Sequence, residues 1–195
     1  MLRTTQKRKN ICCIEGHWDE DNFRNTASIK GALDLLRDNE DVLYEHRKCS
    51  TLVEAVRIVS EFCKAEYKSF GIIYFATHGI QSCTRFDGRD ISLSELADAL
   101  AGKLNRKIVH FGSCETLDVR KNHLNDFLIR TGAIAVSGYT TQIDFLKSTV
   151  LDLLYFQLCQ DTTSVEKIRQ AMKQHYGSFS RELGFRMEFN SNFNV

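Results

Sequence analysis

Short, nearly unbroken apolar runs alternate along this chain with longer segments whose apolar residues recur every three or four positions. Residues 10–14 (Asn-Ile-Cys-Cys-Ile) read as a short buried strand stopping at Glu15-Gly16. Over 25–37, Ile29, Ala32, Leu33 and Leu36 fall at i, i+3, i+4 and i+7, one face of a helix. A second strand is predicted over 42–48. Thr51 and Glu54 then form a capping box opening a helix with Leu52, Ala55, Val56, Val59 and Cys63 on one side. Residues 70–76 (Phe-Gly-Ile-Ile-Tyr-Phe-Ala) are apolar almost throughout, as in a strand covered on both faces. Asp87-Gly88 marks a tight hairpin turn, and Ser92 with Glu95 caps a helix carrying Leu93, Leu96, Ala97 and Leu100.

The same alternation continues to the C-terminal end. A fourth strand is predicted over 107–111, a helix through Leu124, Phe127 and Leu128 ends at Gly132, and a fifth strand covers 133–136. Helices over 144–159 and 163–176 follow, the second closing at Gly177, and 185–189 adds an edge strand. Strands and helices in this order predict an α/β fold, a three-layer α-β-α sandwich on a mostly parallel sheet. The chain has no proline, no internal repeat and no linker signal, so residues 1–195 read as a single domain with a short basic arm over 1–9, taken as a solvated tail.

Composition narrows the function classes. The net charge of +1 gives no field for nucleic acid or an anionic membrane, so neither is expected as a partner. No run approaches the ~18 apolar residues of a membrane span, and the N-terminal residues lack a secretory pattern. Seven cysteines follow neither a zinc-like spacing nor an even disulfide framework. Cys12, Cys13, Cys63 and Cys159 fall on apolar faces, where cysteine acts as a small hydrophobe. A reducing, cytoplasmic location is expected.

Two residues stand out by position. His78 follows the third strand and Cys114 the fourth. If those strands are parallel neighbours, both side chains reach the carboxyl edge of the sheet, where open α/β sheets bind ligands, with strands roughly 5 Å apart. An imidazole beside a thiol supplies a proton carrier and a nucleophile. The N–H groups of Gly79 and Cys114 are then candidates for holding an oxyanion, and the small Gly112 and Ser113 are expected to let a substrate backbone approach the thiol. His78, Cys83 and Cys114 form a weaker zinc alternative without a clear fourth ligand. Trp18 reaches the same edge and is expected to line a substrate groove or to cover the core. His110 reads as a core or interface histidine, with His17 and Glu115 as groups near the edge.

The blocks 72–79 (Ile-Ile-Tyr-Phe-Ala-Thr-His-Gly), 86–88 (Phe-Asp-Gly), 91–96 (Ile-Ser-Leu-Ser-Glu-Leu) and 108–116 (Ile-Val-His-Phe-Gly-Ser-Cys-Glu-Thr) resemble the caspase-like cysteine peptidases (clan CD), most closely their CHAT and separase-like branch. The likeness spans about residues 70–159. It implies a caspase-like sandwich and a cysteine endopeptidase in which Cys114 and His78 hydrolyse peptide bonds through an acyl-enzyme, with no metal or cofactor. It also implies a protein or peptide substrate and a regulatory protein partner or activating signal. Asp144 falls where such enzymes carry an acid facing the first specificity pocket, so the resemblance implies cleavage after Arg or Lys; a helix N-cap is the other role open to it. The chain departs from the family at 139–142 (Tyr-Thr-Thr-Gln), where a Trp is common, and this leaves the pocket's shape open. Two other functions stay open: a catalytically silent caspase-like interaction module, and a glutamine-amidotransferase-like thiol enzyme using His123 or His175.

Overall fold

The computed structural model describes residues 8–18 and 26–190. Strands β1 (Ile11–Glu15), β2 (Tyr44–Lys48) and β3 (Ile72–Ala76) are separated by helices α1 (Lys30–Glu40) and α2 (Leu52–Phe62). After β3 come three short strands, β4 (Gly79–Ile80), β5 (Cys83–Phe86) and β6 (Arg89–Ser92), which form a small antiparallel sheet of their own. Helix α3 (Leu93–Ala99), β7 (Ile108–Phe111), α4 (Lys121–Thr131), β8 (Ala135–Tyr139), α5 (Phe145–Asp161), α6 (Val165–Glu182) and β9 (Phe185–Phe189) complete the order.

The main sheet runs β2-β1-β3-β7-β8-β9, parallel from β2 to β8 and antiparallel only at β9. Alternate residues of each strand serve opposite cores. Cys12, Ile14, Ile73, Phe75, Val109 and Phe111 face α2, α3 and α4. Ile11, Cys13, Ile72, Tyr74 and Ile108 face α1, α5 and α6. The fold is therefore the expected three-layer α/β/α sandwich, and burial of both faces explains the unbroken apolar runs of β1 and β3.

Local signals act as their chemistry requires. Thr51 Oγ1 accepts the Glu54 N–H at 3.2 Å, and Ser92 with Glu95 forms a complete capping box. Asp87 and Gly88 both take positive φ (50° and 65°), the backbone of a two-residue primed turn between β5 and β6. Three boundaries differ from expectation. Helix α1 starts at Lys30 rather than 25, which lies outside the described residues, because Ser28 gives its hydroxyl to Glu15 instead of continuing a helix. The fifth strand is Ala135–Tyr139 rather than 133–136, in register with β7 through Ile108 and Ala135. Helix α6 does not close at Gly177; it kinks at Tyr176 (φ −127°, ψ 20°) and continues to Glu182. The second segment carries Phe179 and Leu183 into the core, and Gly184 reverses the chain at φ 64°.

Residues 1–7 of the expected arm lie outside the described residues. Lys9 is not part of a solvated tail: its Nζ donates to the carbonyls of Cys159 (2.5 Å) and Thr162 (2.8 Å) at the end of α5. Burial pushes its pKa down, partly offset by Cys159 and Asp161. No helix among the described residues is long and apolar enough to cross a membrane.

One polar cluster ties the layers together beneath the sheet's carboxyl edge. The buried Asp152 of α5 accepts from Tyr74 (2.7 Å), Tyr139 (2.5 Å) and His110 Nε2 (2.7 Å), while His110 Nδ1 lies 2.9 Å from Ser137 Oγ. His110 is thus a satisfied core residue, joining β3, β7, β8 and α5. Removing the carboxylate leaves the buried Tyr74 hydroxyl and His110 Nε2–H without an acceptor and Tyr139 with only the Ser148 carbonyl, at 3.1 Å. Asp152→Ala is expected to lose about 3–5 kcal/mol of stability, read as a lower urea midpoint at unchanged slope; a loss under about 1 kcal/mol would contradict this account of the cluster.

Candidate active site

The strand order reverses between β1 and β3: from β1 the chain passes out to β2 and then returns to the other side. Helix α1 packs on one face of the sheet and α3 on the other, so the loops after β1 and β3 part at their carboxyl ends, the region where open α/β sheets bind ligands. Trp18 enters it from β1 and His78 from β3. Cys114 lies three residues beyond Phe111, which pairs with Phe75, itself three residues before His78. The two expected reactive residues therefore leave adjacent parallel strands at the same level.

Each is braced by its own turn. His78 O accepts from Arg85 N at 2.9 Å, and Thr77 Oγ1 lies 2.6 Å from Thr84 Oγ1, which fastens the end of β3 to the hairpin. The Cys114 turn is held by Gly112 N donating to Phe75 O (2.9 Å) and by Glu115 and Leu117 N–H groups donating to Thr141 O (3.0 Å) and Tyr139 O (2.9 Å). Glu115 takes φ 54°, an uncommon conformation for a residue with a side chain. Its carboxylate accepts from Gln81 N at 3.1 Å, so it clips the hairpin to the Cys114 turn. His17 instead reaches Ser50 Oγ at 3.0 Å and takes no part in that turn.

Gly79 is required by close packing. A Cβ there would collide with the Cys114 carbonyl oxygen and the Thr116 hydroxyl. Gly79 thus packs directly against the Cys114 backbone at its carbonyl. Gly112 and Ser113 do not open a path to the thiol as expected. A Cβ on Gly112 would sit 2.7 Å from the Tyr74 ring and hydroxyl. Ser113 is buried, 2.7 Å from Thr116 Oγ1. Both are small because the core beneath them is full.

His78 is exposed, and its Nε2 lies 2.6 Å from the Trp18 carbonyl oxygen. A carbonyl only accepts, so Nε2 carries the proton and Nδ1 of the neutral ring holds the lone pair. Cys114 is half-buried; its Sγ accepts the Ile143 N–H at 3.5 Å and faces Ile143 O at 3.9 Å. Burial pushes the thiols of Cys12 and Cys159 up to about 12 and that of Cys49 to about 11, with Cys13, Cys63 and Cys83 also raised.

Trp18 meets His78 edge-on at 5.4 Å between ring centroids and Phe145 at 5.1 Å. Asp144 lies between Ile143, which touches the thiol, and Phe145, which touches Trp18. Its Oδ1 accepts the Lys147 N–H at 2.9 Å and so caps α5. Among the described residues no group of three His, Cys, Asp or Glu could hold a metal ion, so His78, Cys83 and Cys114 do not form a zinc site. His123 lines a separate cavity of about 590 Å³ with Gln81, Ser82 and Cys83, and His175 lies on α6 beside Tyr176.

Sequence reasoning passed over Glu15, Ile143 and Phe145. Ile143 lies in the loop before α5 and Phe145 at the first residue of that helix, where no periodicity marks either. Glu15 had a signal, a charge at the end of an otherwise apolar buried strand. It is fully buried, and it accepts from Trp18 Nε1 (2.7 Å), Ile29 N (2.8 Å), Ser28 Oγ (2.7 Å) and His46 Nε2 (2.6 Å). Burial alone would raise its pKa, but the bonds from His46, Trp18, Ile29 and Ser28 together hold it below the ordinary 4.5.

Because the folded value lies below the unfolded one, Glu15 contributes stability that is complete above pH 4.5 and is lost as pH falls through the depressed folded value. Urea midpoints of the wild type are expected to fall more steeply than those of Glu15→Gln between about pH 5 and about pH 3. Parallel curves would contradict the linkage. At Gly79, Gly79→Ala is expected to cost about 1–3 kcal/mol by overpacking against backbone; a melting temperature equal to wild type would refute that packing.

A search of curated proteins finds no match for this chain. A scan against family models aligns residues 8–189, from just before β1 to the last residue of β9, with a family described as a family of unknown function, DUF6642. Both braced turns and the Glu15 cluster lie inside the aligned stretch, and the chain belongs to that family.

Proposed function

We propose that this protein is a cysteine endopeptidase in which Cys114 is the nucleophile and His78 the proton carrier. The observation that carries the proposal is the 2.6 Å bond from His78 Nε2 to the Trp18 carbonyl, which leaves Nδ1 as the basic atom at the strand end next to that of Cys114. Nδ1 takes the thiol proton as Sγ attacks the scissile carbonyl carbon. The N–H groups of Gly79 and Cys114 receive the developing oxyanion. The His78 proton passes to the departing amine as the C–N bond breaks, leaving a thioester on Cys114. Water then adds to that thioester, giving its proton to Nδ1, and the released acid leaves Sγ to recover the proton.

The resemblance to caspase-like enzymes of the CHAT and separase-like branch supports the same assignment, with Asp144 facing the first pocket and cleavage after Arg or Lys. Asp144 can serve both roles, since its Oδ1 caps α5 while its position beside Ile143 keeps it next to the thiol. Trp18 and Phe145 then border the groove that takes the substrate. A cytoplasmic location and control by a protein partner complete the proposal.

The test is turnover of fluorogenic peptides that differ only in the residue before the scissile bond. Wild type is expected to cleave after Arg or Lys and Cys114→Ala to show no cleavage, while His78→Ala loses roughly 10²–10⁴ in rate. Asp144→Asn keeps the helix cap, because Asn caps as well as Asp, and is expected to lose selectivity for basic residues without losing stability. Cleavage after another residue would retain the peptidase and refute the pocket. Absence of cleavage with an unreactive Cys114 would refute the peptidase and favour a silent interaction module.

A further inference from the structure

We infer that Glu15 is a positioning residue for His78, acting through Trp18; this rests on the assignment of His78 as proton carrier. The two oxygens of Glu15 collect four donors. Ser28 and Ile29 fix the approach to α1, and His46 joins from β2. The fourth donor is the indole Nε1–H of Trp18, at 2.7 Å. These contacts tie the end of β1 to Trp18, to the start of α1 and to β2. A carboxylate buried at the end of a strand costs desolvation that an apolar residue would avoid. What an apolar residue could not supply is a directed acceptor for the indole.

That acceptor matters because Trp18 presents both of its ends to the site. The indole is held by Glu15 Oε1, by the Phe145 ring and by the edge of the His78 ring. The backbone of the same residue offers the carbonyl that takes the His78 Nε2 proton. Trp18 follows β1 in a loop, so no strand ladder fixes its carbonyl direction. Fixing the side chain is the means the structure provides for fixing that carbonyl. Without it, His78 loses the acceptor that selects its tautomer, the ring proton distributes between Nδ1 and Nε2, and the fraction of imidazole able to accept the thiol proton falls. A mis-set tautomer is among the costliest faults in a histidine-dependent site.

The experiment uses the full chain, uniformly labelled with ¹⁵N, in three forms: wild type, Glu15→Gln and Trp18→Phe. Trp18→Phe keeps an aromatic ring and the carbonyl but removes the indole N–H, so it tests the link even where Glu15→Gln weakens the fold. His78 ring resonances, assigned by their loss in His78→Gln, are expected to report a single Nε2–H tautomer in wild type and a mixture in both variants. Peptide turnover is expected to drop roughly 10–100-fold in kcat in both variants, the scale for losing the partner that orients a metal-bound histidine, with KM unchanged in Glu15→Gln, where the substituted residue is buried away from the groove. Variants with wild-type circular dichroism, an unshifted His78 tautomer and unchanged kcat would overturn the inference. Should wild type cleave no peptide, the peptidase assignment fails by itself, and the tautomer signal alone decides whether Glu15 positions His78.

Discussion

Strands β1, β3, β7 and β8 are buried along their whole length, and this constraint orders the rest of the molecule. A parallel sheet covered on both faces has no wet surface for polar side chains, so each polar group it carries is paired inside or sent to the strand ends. Both outcomes occur. The Asp152 cluster pairs His110, Tyr74 and Tyr139 within the core. Glu15 pairs at the end of β1, while His78 and Cys114 emerge just past β3 and β7. The two buried carboxylates support the candidate site, one beneath the Cys114 turn through Tyr74 and Gly112, the other beside His78 through Trp18.

This arrangement gives the candidate site a closely packed floor and a partly exposed rim. The floor is the packed contact of Gly79 with Cys114 and of Gly112 with Tyr74, where even one added carbon would force a shift. The rim consists of Trp18 from the loop after β1, Ile143 and Asp144 from the loop after β8, and Phe145 at the start of α5, with Trp18 meeting Phe145 ring to ring and Asp144 capping the helix. Phe145 is 40% exposed and Leu146 is 70% exposed, so apolar surface continues outward from the proposed groove along α5. A peptide bound across the rim would cover part of that surface, in keeping with the proposed substrate class.

Much of this was legible in the sequence, for physical reasons. Strands buried on both faces write themselves as apolar runs, so β1, β3 and β7 were placed nearly residue for residue, and with them the exits where His78 and Cys114 lie. Short-range chemistry was equally readable: Asp87-Gly88 marked a tight hairpin turn, and Ser92 with Glu95 a capped helix. What sequence could not show depended on contacts distant along the chain. Gly112 read as access to the thiol until Tyr74 and Asp152 were seen beneath it. The continuation of α6 past Gly177 is set by the burial of Phe179 and Leu183, not by local propensity. Trp18 was placed at the correct edge, but the double use of its indole and its carbonyl depends on Glu15 and His78, 3 and 60 residues away.

The central claim is that Cys114 is a nucleophile activated by His78, and competition among the chain's thiols tests it most directly. The full chain would be treated at neutral pH with a limiting amount of a peptide bearing a thiol-reactive electrophile, and the labelled cysteine mapped by mass spectrometry in wild type and in His78→Ala. The account expects modification concentrated at Cys114 in wild type and sharply slowed in His78→Ala, with the buried thiols of Cys12, Cys13 and Cys159 unlabelled in both. Labelling of Cys114 at the same rate with and without His78, or labelling that favours another cysteine in the folded protein, would contradict it.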